Sequence, residues 1–147
     1  MIPKLYDRTE TAFVSEGLGR LSSAIECVVT EERNGIYELV MKYPVNGVLF
    51  DEIEVGRIIC ATHDAGGDAQ PFDIYRKSEP LNGVVTFYAH HISYRLNEIS
   101  VMPFSASTCA DALAAIPQNS AGVNPFTFTT DKTYAAEYKN TVPRQCR

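Results

Sequence analysis

Three histidines, four cysteines and two adjacent acid pairs are the groups in this 147-residue chain best suited to chemistry. His90 and His91 are neighbours in an apolar, aromatic run. Successive side chains of a strand point to opposite faces, so this pair cannot close on one metal ion. His63 shares a polar, Gly-rich loop with Asp64 and Asp68. A metal site needs three or four converging ligands. The loop also lacks the spaced acids and terminal Glu of a calcium hand. All three histidines therefore read as structural or surface residues. Cys27, Cys60, Cys109 and Cys146 form no C-x-x-C pair. In a reducing compartment they are expected as free thiols, three packed as small hydrophobes and Cys146 exposed.

Nucleophile motifs are missing. There is no G-x-S-x-G, and Ser93 near His91 is a coincidence of sequence. Glu31-Glu32 and Asp51-Glu52 read as solvated ends of elements, not carboxylates tuned apart. Gly17-Leu18-Gly19-Arg20 lacks the third glycine of a dinucleotide fingerprint. Gly66-Gly67 lacks the lysine of a phosphate loop. The expected catalytic, cofactor-binding and metal sets are thus all none, and no subunit interface is assigned. Tyr37, Tyr43, Tyr75, Tyr88 and Tyr94 fall on or near predicted strands. Base-stacking platforms need a basic groove beside them, so core packing and subunit contact are the expected uses.

The elements that would position these residues are mostly strands. Apolar-rich runs from Ile25 to Thr30 and from Ile36 to Tyr43 flank Arg33-Asn34-Gly35, a hairpin signal. A two-residue turn would set Glu31 opposite Glu38, and like charges there are destabilising. A three-residue loop over 33–35 avoids this, sets Glu26 opposite Lys42 and puts Gly35 in a left-handed conformation. One face then carries Ile25, Cys27 and Val29 against Leu39, Met41 and Tyr43. Pro44 should stop the second strand. A turn through Asn46-Gly47 and a short helix near Phe50–Ile53 follow, then a strand over 57–62. Strands over 71–78 and 84–91 should form a second hairpin around Pro80-Leu81-Asn82-Gly83. Ile92, Leu96 and Ile99 suggest a short amphipathic helix. Cys109, Ala112, Leu113 and Ile116 suggest another, capped by Thr108 with Asp111 and ended by Pro117. Residues 126–129 alternate like a strand, and 134–147 carry no clear pattern. The fold class is α+β, mostly antiparallel β with one or two short helices, in one domain over 1–147.

Hydrophobic residues make up 45% and charged residues 21%, and the formal charge is -5. This argues against a nucleic-acid backbone as main partner, because phosphate binding needs clustered Lys and Arg. No segment approaches the ~18 apolar residues of a membrane span. The N-terminus has no signal-like apolar run. The chain is expected to be made in a bacterial cytoplasm.

An ordered series of segments resembles the N-terminal region of phage minor structural proteins, the prophage tail endopeptidase or tail-associated family. The segments are Ile2-Pro3-Lys4-Leu5-Tyr6-Asp7, Gly17–Leu21, Thr30–Leu39, Tyr43-Pro44-Val45, Val55–Ile59, Gln70-Pro71-Phe72, Pro80–Gly83, Ala89–Tyr94, Asn124–Phe128 and Asp131-Lys132. The resemblance implies a β-barrel-like, baseplate-hub domain at the tail tip. It implies other tail proteins as partners (distal-tail and tape-measure-side components), a homotrimer in the assembled tail, and a virion location. Relatives continue for hundreds of residues past the matching region, so this chain is expected to be truncated, and the family's peptidase activity is not carried over. Nucleic acid, membrane and small-molecule substrates are not expected as partners, nor is a cofactor. Two alternatives stand beside this structural role. One is a small barrel binding oligosaccharide or single strands through its tyrosines. The other is a remnant of a cell-wall peptidase using His63, His90 and His91 with Asp64 or Asp68.

Overall fold

A computed structural model describes residues 2–33, 35–62, 67–132 and 135–146. The chain forms two compact units, Met1–Ile92 and Ser93–Arg147. Every strand pairing described is antiparallel.

The first unit is a curled, half-barrel sheet of seven strands. In chain order these are β1 (Lys4–Tyr6), β2 (Gly19–Arg20), β3 (Glu26–Glu31), β4 (Tyr37–Pro44), β5 (Ile58–Ala61), β6 (Gln70–Lys77) and β7 (Val84–His91). Their spatial order is β2-β1-β5-β6-β7-β4-β3. One face carries the core: Leu5, Leu39, Met41, Tyr43, Ile59, Phe72, Ile74, Val85, Phe87 and Ala89, closed by Leu21 and Ile53. Cys27 and Val29 pack against it from β3. A smaller cluster on the other face joins Tyr6, Ile58 and Cys60 under Phe13. The Tyr6 hydroxyl lies 3.1 Å from Phe13 O and 2.5 Å from Ser15 O, tying the 7–18 segment down.

The β3–β4 register is the expected one. Glu26 faces Lys42, Val29 faces Leu39 and Thr30 faces Glu38. The Glu32 N–H donates to Ile36 O at 2.8 Å, which leaves 33–35 as the loop; Asn34 lies outside the described residues. Gly35 is not left-handed, contrary to expectation; its N–H donates to Glu32 O at 3.0 Å. The charges, which set the strand register, hold without that backbone device. Glu26 also meets Lys42 in an ion pair of 2.7 Å.

The second hairpin turns through Asn82 (φ 52°) and Gly83 (φ 74°). Two positive φ values at the central positions define a type I′ turn, whose twist matches the flanking strands. Leu81 and Val84 exchange both backbone hydrogen bonds, at 2.9 and 3.0 Å. A 3₁₀ turn covers Phe50–Glu52.

The short helix expected from Ile92, Leu96 and Ile99 is present as a 3₁₀ helix, Ile92–Glu98. In the second unit, β8 (Ser100–Val101) pairs with β11 (Arg144–Gln145), and β9 (Phe104–Thr108) pairs with β10 (Ala135–Asn140). Helix α1 (Cys109–Gln118) packs against β9 and β10. Thr108 Oγ1 accepts the Asp111 N–H at 3.1 Å, as the capping pattern requires. Pro117 does not end the helix but falls inside its last turn. The Asn119 side-chain amide and the Ser120 hydroxyl, each at 2.8 Å, take up the Ala115 and Ile116 carbonyls there. Residues 126–129 form no strand. Cys146 is buried, not exposed, because β11 carries it inward.

Candidate functional site

The β6–β7 pairing builds the most concentrated group of polar aromatic side chains in the first unit. The pairing runs Asp73↔His90 and Ile74↔Ala89, then shifts so that Arg76 faces Tyr88. Tyr75 is the extra residue of this bulge. The alternation of buried and open positions along β6 therefore holds only to Ile74. A bulge bends its strand and re-aims a side chain. The Tyr75 ring lies on His90, with centroids 3.9 Å apart and planes within 4°. The Arg76 guanidinium sits 4.0 Å from the Tyr88 ring centroid. Glu38 is the β4 partner of His90, its Oε1 3.9 Å from His90 Nδ1. Tyr75 is 40% exposed, so one edge of the platform faces solvent.

His91 points to the other face, as strand alternation requires. It stacks on Tyr37 (4.3 Å, 19°), meets Phe72 edge-on, and lies 3.3 Å from Gln70 Oε1 through Nε2. Burial disfavours its charged form and holds its pKa below the ordinary 6.5, although Glu31 and Asp73 pull the other way. The unfolded chain therefore binds this proton more tightly. The stabilisation is full above pH 6.5 and is lost as pH falls through 6.5 towards the folded value. Thermal midpoints of the protein should drop between pH 7 and pH 5. A His91→Phe variant should flatten that part of the profile, and an unchanged slope would remove His91 as its source.

The two adjacent histidines thus do not converge. His63 and Asp64 lie outside the described residues, and Asp68 has no histidine brought to it among those described. No group of three or more metal-binding side chains occurs among the described residues. No helix among them is long and apolar enough to cross a membrane.

All four cysteines are free. Burial pushes the Cys60 thiol up to about 12 and Cys27 up to about 11, and raises Cys146 as well. Only the thiolate attacks a disulfide reagent. At pH 8 Cys60 should resist an aromatic disulfide reagent until denaturant is added. Fast labelling of Cys60 in the native state, read by peptide mass mapping, would contradict its packing in the Tyr6–Ile58 cluster.

The site can stack a flat or apolar ring face and exchange hydrogen bonds around it. The signal missed in the sequence is the bulge, since nothing local to Tyr75 announces it. No family model, curated protein or solved structure matches the chain.

Proposed function

We propose that this chain is a structural attachment module of a phage or prophage tail tip, working by shape and docking, with other tail proteins as partners and a homotrimer as its assembled form. The observation that supports this reading is where the resembling segments fall. Gly17–Leu21 makes the turn that adds β2 to β1. Thr30–Leu39 is the end of the β3–β4 hairpin. Val55–Ile59 opens β5, where Gly56 N–H donates to Ile74 O and Arg57 O accepts from Ile74 N–H. Gln70-Pro71-Phe72 opens β6, Pro80–Gly83 leads into the type I′ turn, and Ala89–His91 closes β7. These segments lie at turns and strand ends of one sheet, spread along it rather than gathered around a cleft, while Asn124–Phe128 and Asp131-Lys132 fall in the second unit and in no strand. A sequence selected for a scaffold distributes its special residues in this way, whereas catalysis gathers them at one point.

The test is immunogold electron microscopy on tail particles from the bacterium that carries the gene. Label at the distal end of the tail is the expected result. Label on the capsid, or particles without label while the protein is present in the cell, overturns the proposal. A second reading is favoured by the Tyr75–His90 stack, whose Tyr75 ring is 40% exposed and could take a sugar face. Titration with cell-wall oligosaccharides, followed by tyrosine fluorescence, addresses it. Absence of saturation at millimolar sugar disposes of it.

A further inference from the structure

The sheet of the first unit ends at β3, and no strand among the described residues pairs with its outer side. In an antiparallel ladder, N–H and C=O of alternate residues turn to alternate sides. Glu32 donates to Ile36 O, so the even residues of β3 face β4. Cys27, Val29 and Glu31 therefore turn both backbone groups to the open edge. We propose that this edge receives an extended, basic segment of a partner protein as an eighth strand.

Three features point to that occupant. First, the edge is pre-ordered, because the Cys27 and Val29 side chains pack against the core and hold β3 in place. Little further ordering is then needed on binding. Second, the end of the strand is acidic. Glu31 and Glu32 are both exposed, so a Lys or Arg opposite them gains a cross-strand charge pair. Third, the exposed side chains of Ile25 (60%) and Val28 (47%) flank the other end. Beside them opens a groove of about 480 Å³ lined by Ile25, Lys42, Leu81, Val84 and Thr86. In strand addition, the backbone ladder supplies affinity and such pockets supply selection. A second copy fits less well: pairing two β3 strands about Val29 sets Glu26 opposite Glu32, a like-charge clash. The inference does not depend on the tail-tip reading, and its test makes no use of a tail.

The probe is a blocked heptapeptide, Lys-Lys-Thr-Val-Val-Val-Thr, compared with its Glu-Glu counterpart. The Lys peptide should bind saturably and slow amide hydrogen exchange at Cys27, Val29 and Glu31. The Glu peptide should bind about tenfold more weakly or worse. Val29→Pro deletes an outward N–H while sparing the β4 ladder, a place where an edge strand tolerates proline. That variant should keep its fold and lose the peptide. The double variant E31K/E32K should reverse the charge preference, which keeps the test decisive if the proline variant unfolds. Equal binding of both peptides, protection elsewhere, or no saturation at millimolar peptide overturns the proposal. So does a self-associated form, seen by sedimentation, in which the β3 amides are already protected.

Discussion

Replacing Phe87 by Ala should cost about 3–5 kcal/mol, a large share of the stability of a unit this size. Phe87 is fully buried on β7, with β6 on one side and β4 on the other. It faces Met41 across the β4 ladder and lies edge-on to Phe50, with ring centroids 6.4 Å apart. Two effects add. The ring loses its transfer free energy, and the sheet backbone cannot collapse to fill the void. Domains of this size hold only about 5–15 kcal/mol in total. Val28→Ala, on the outer face of β3, should change stability by about 0.5 kcal/mol or less. Denaturant titration of both variants tests the contrast. A Phe87→Ala loss no larger than that of Val28→Ala would mean that β7 is not the centre of the core.

That core was legible in the sequence wherever its determinants are local. The charges at Glu26, Glu31, Glu38 and Lys42 fix the β3–β4 register by exclusion, and the pairing agrees. Asn82-Gly83 supplies the two positive φ values its turn needs. Thr108 and Asp111 set the start of α1 within four residues of one another. The elements that escaped are those whose partners are distant. β1 has three residues and β2 two, and both exist because the chain returns through Gly17 to pair with itself and with β5. The small, polar run of β9 pairs with β10, some thirty residues on, in a stretch without clear pattern. Residues 126–129 alternate as a strand does and yet form none. Alternation states what a strand could bury, and a ladder still needs a neighbour.

The candidate site divides in the same way. That His90 and His91 point to opposite faces follows from strand geometry alone. That Arg76 lies over the Tyr88 ring does not, because it requires the one-residue shift between β6 and β7. No property of Tyr75 or its sequence neighbours encodes that shift. The burial of Cys146 is similar: it depends on β11 finding β8, about forty residues earlier.

Gly17 is where a single added methyl should do the most damage outside the core. Its φ is +58°, and a Cβ there would stand 2.4 Å from Leu5 O and 2.7 Å from the Tyr6 ring. The left-handed conformation alone costs an alanine roughly 1–2 kcal/mol. The contact with Leu5 O cannot be relieved by a rotamer, since that oxygen accepts the Leu18 N–H at 2.8 Å and belongs to β1. Relief requires the 7–18 segment to lift, which loosens the Tyr6 hydroxyl from Phe13 and Ser15 and frays β2. Gly83 separates the two causes: its φ is +74°, but a Cβ there meets nothing within 4 Å. Gly83→Ala should therefore lose only the conformational part, about 1–2 kcal/mol. Gly17→Ala should lose about twice as much and should speed hydrogen exchange at Leu18. Equal losses for the two variants would show that backbone strain, not the approach of Leu5, is what reserves position 17 for glycine.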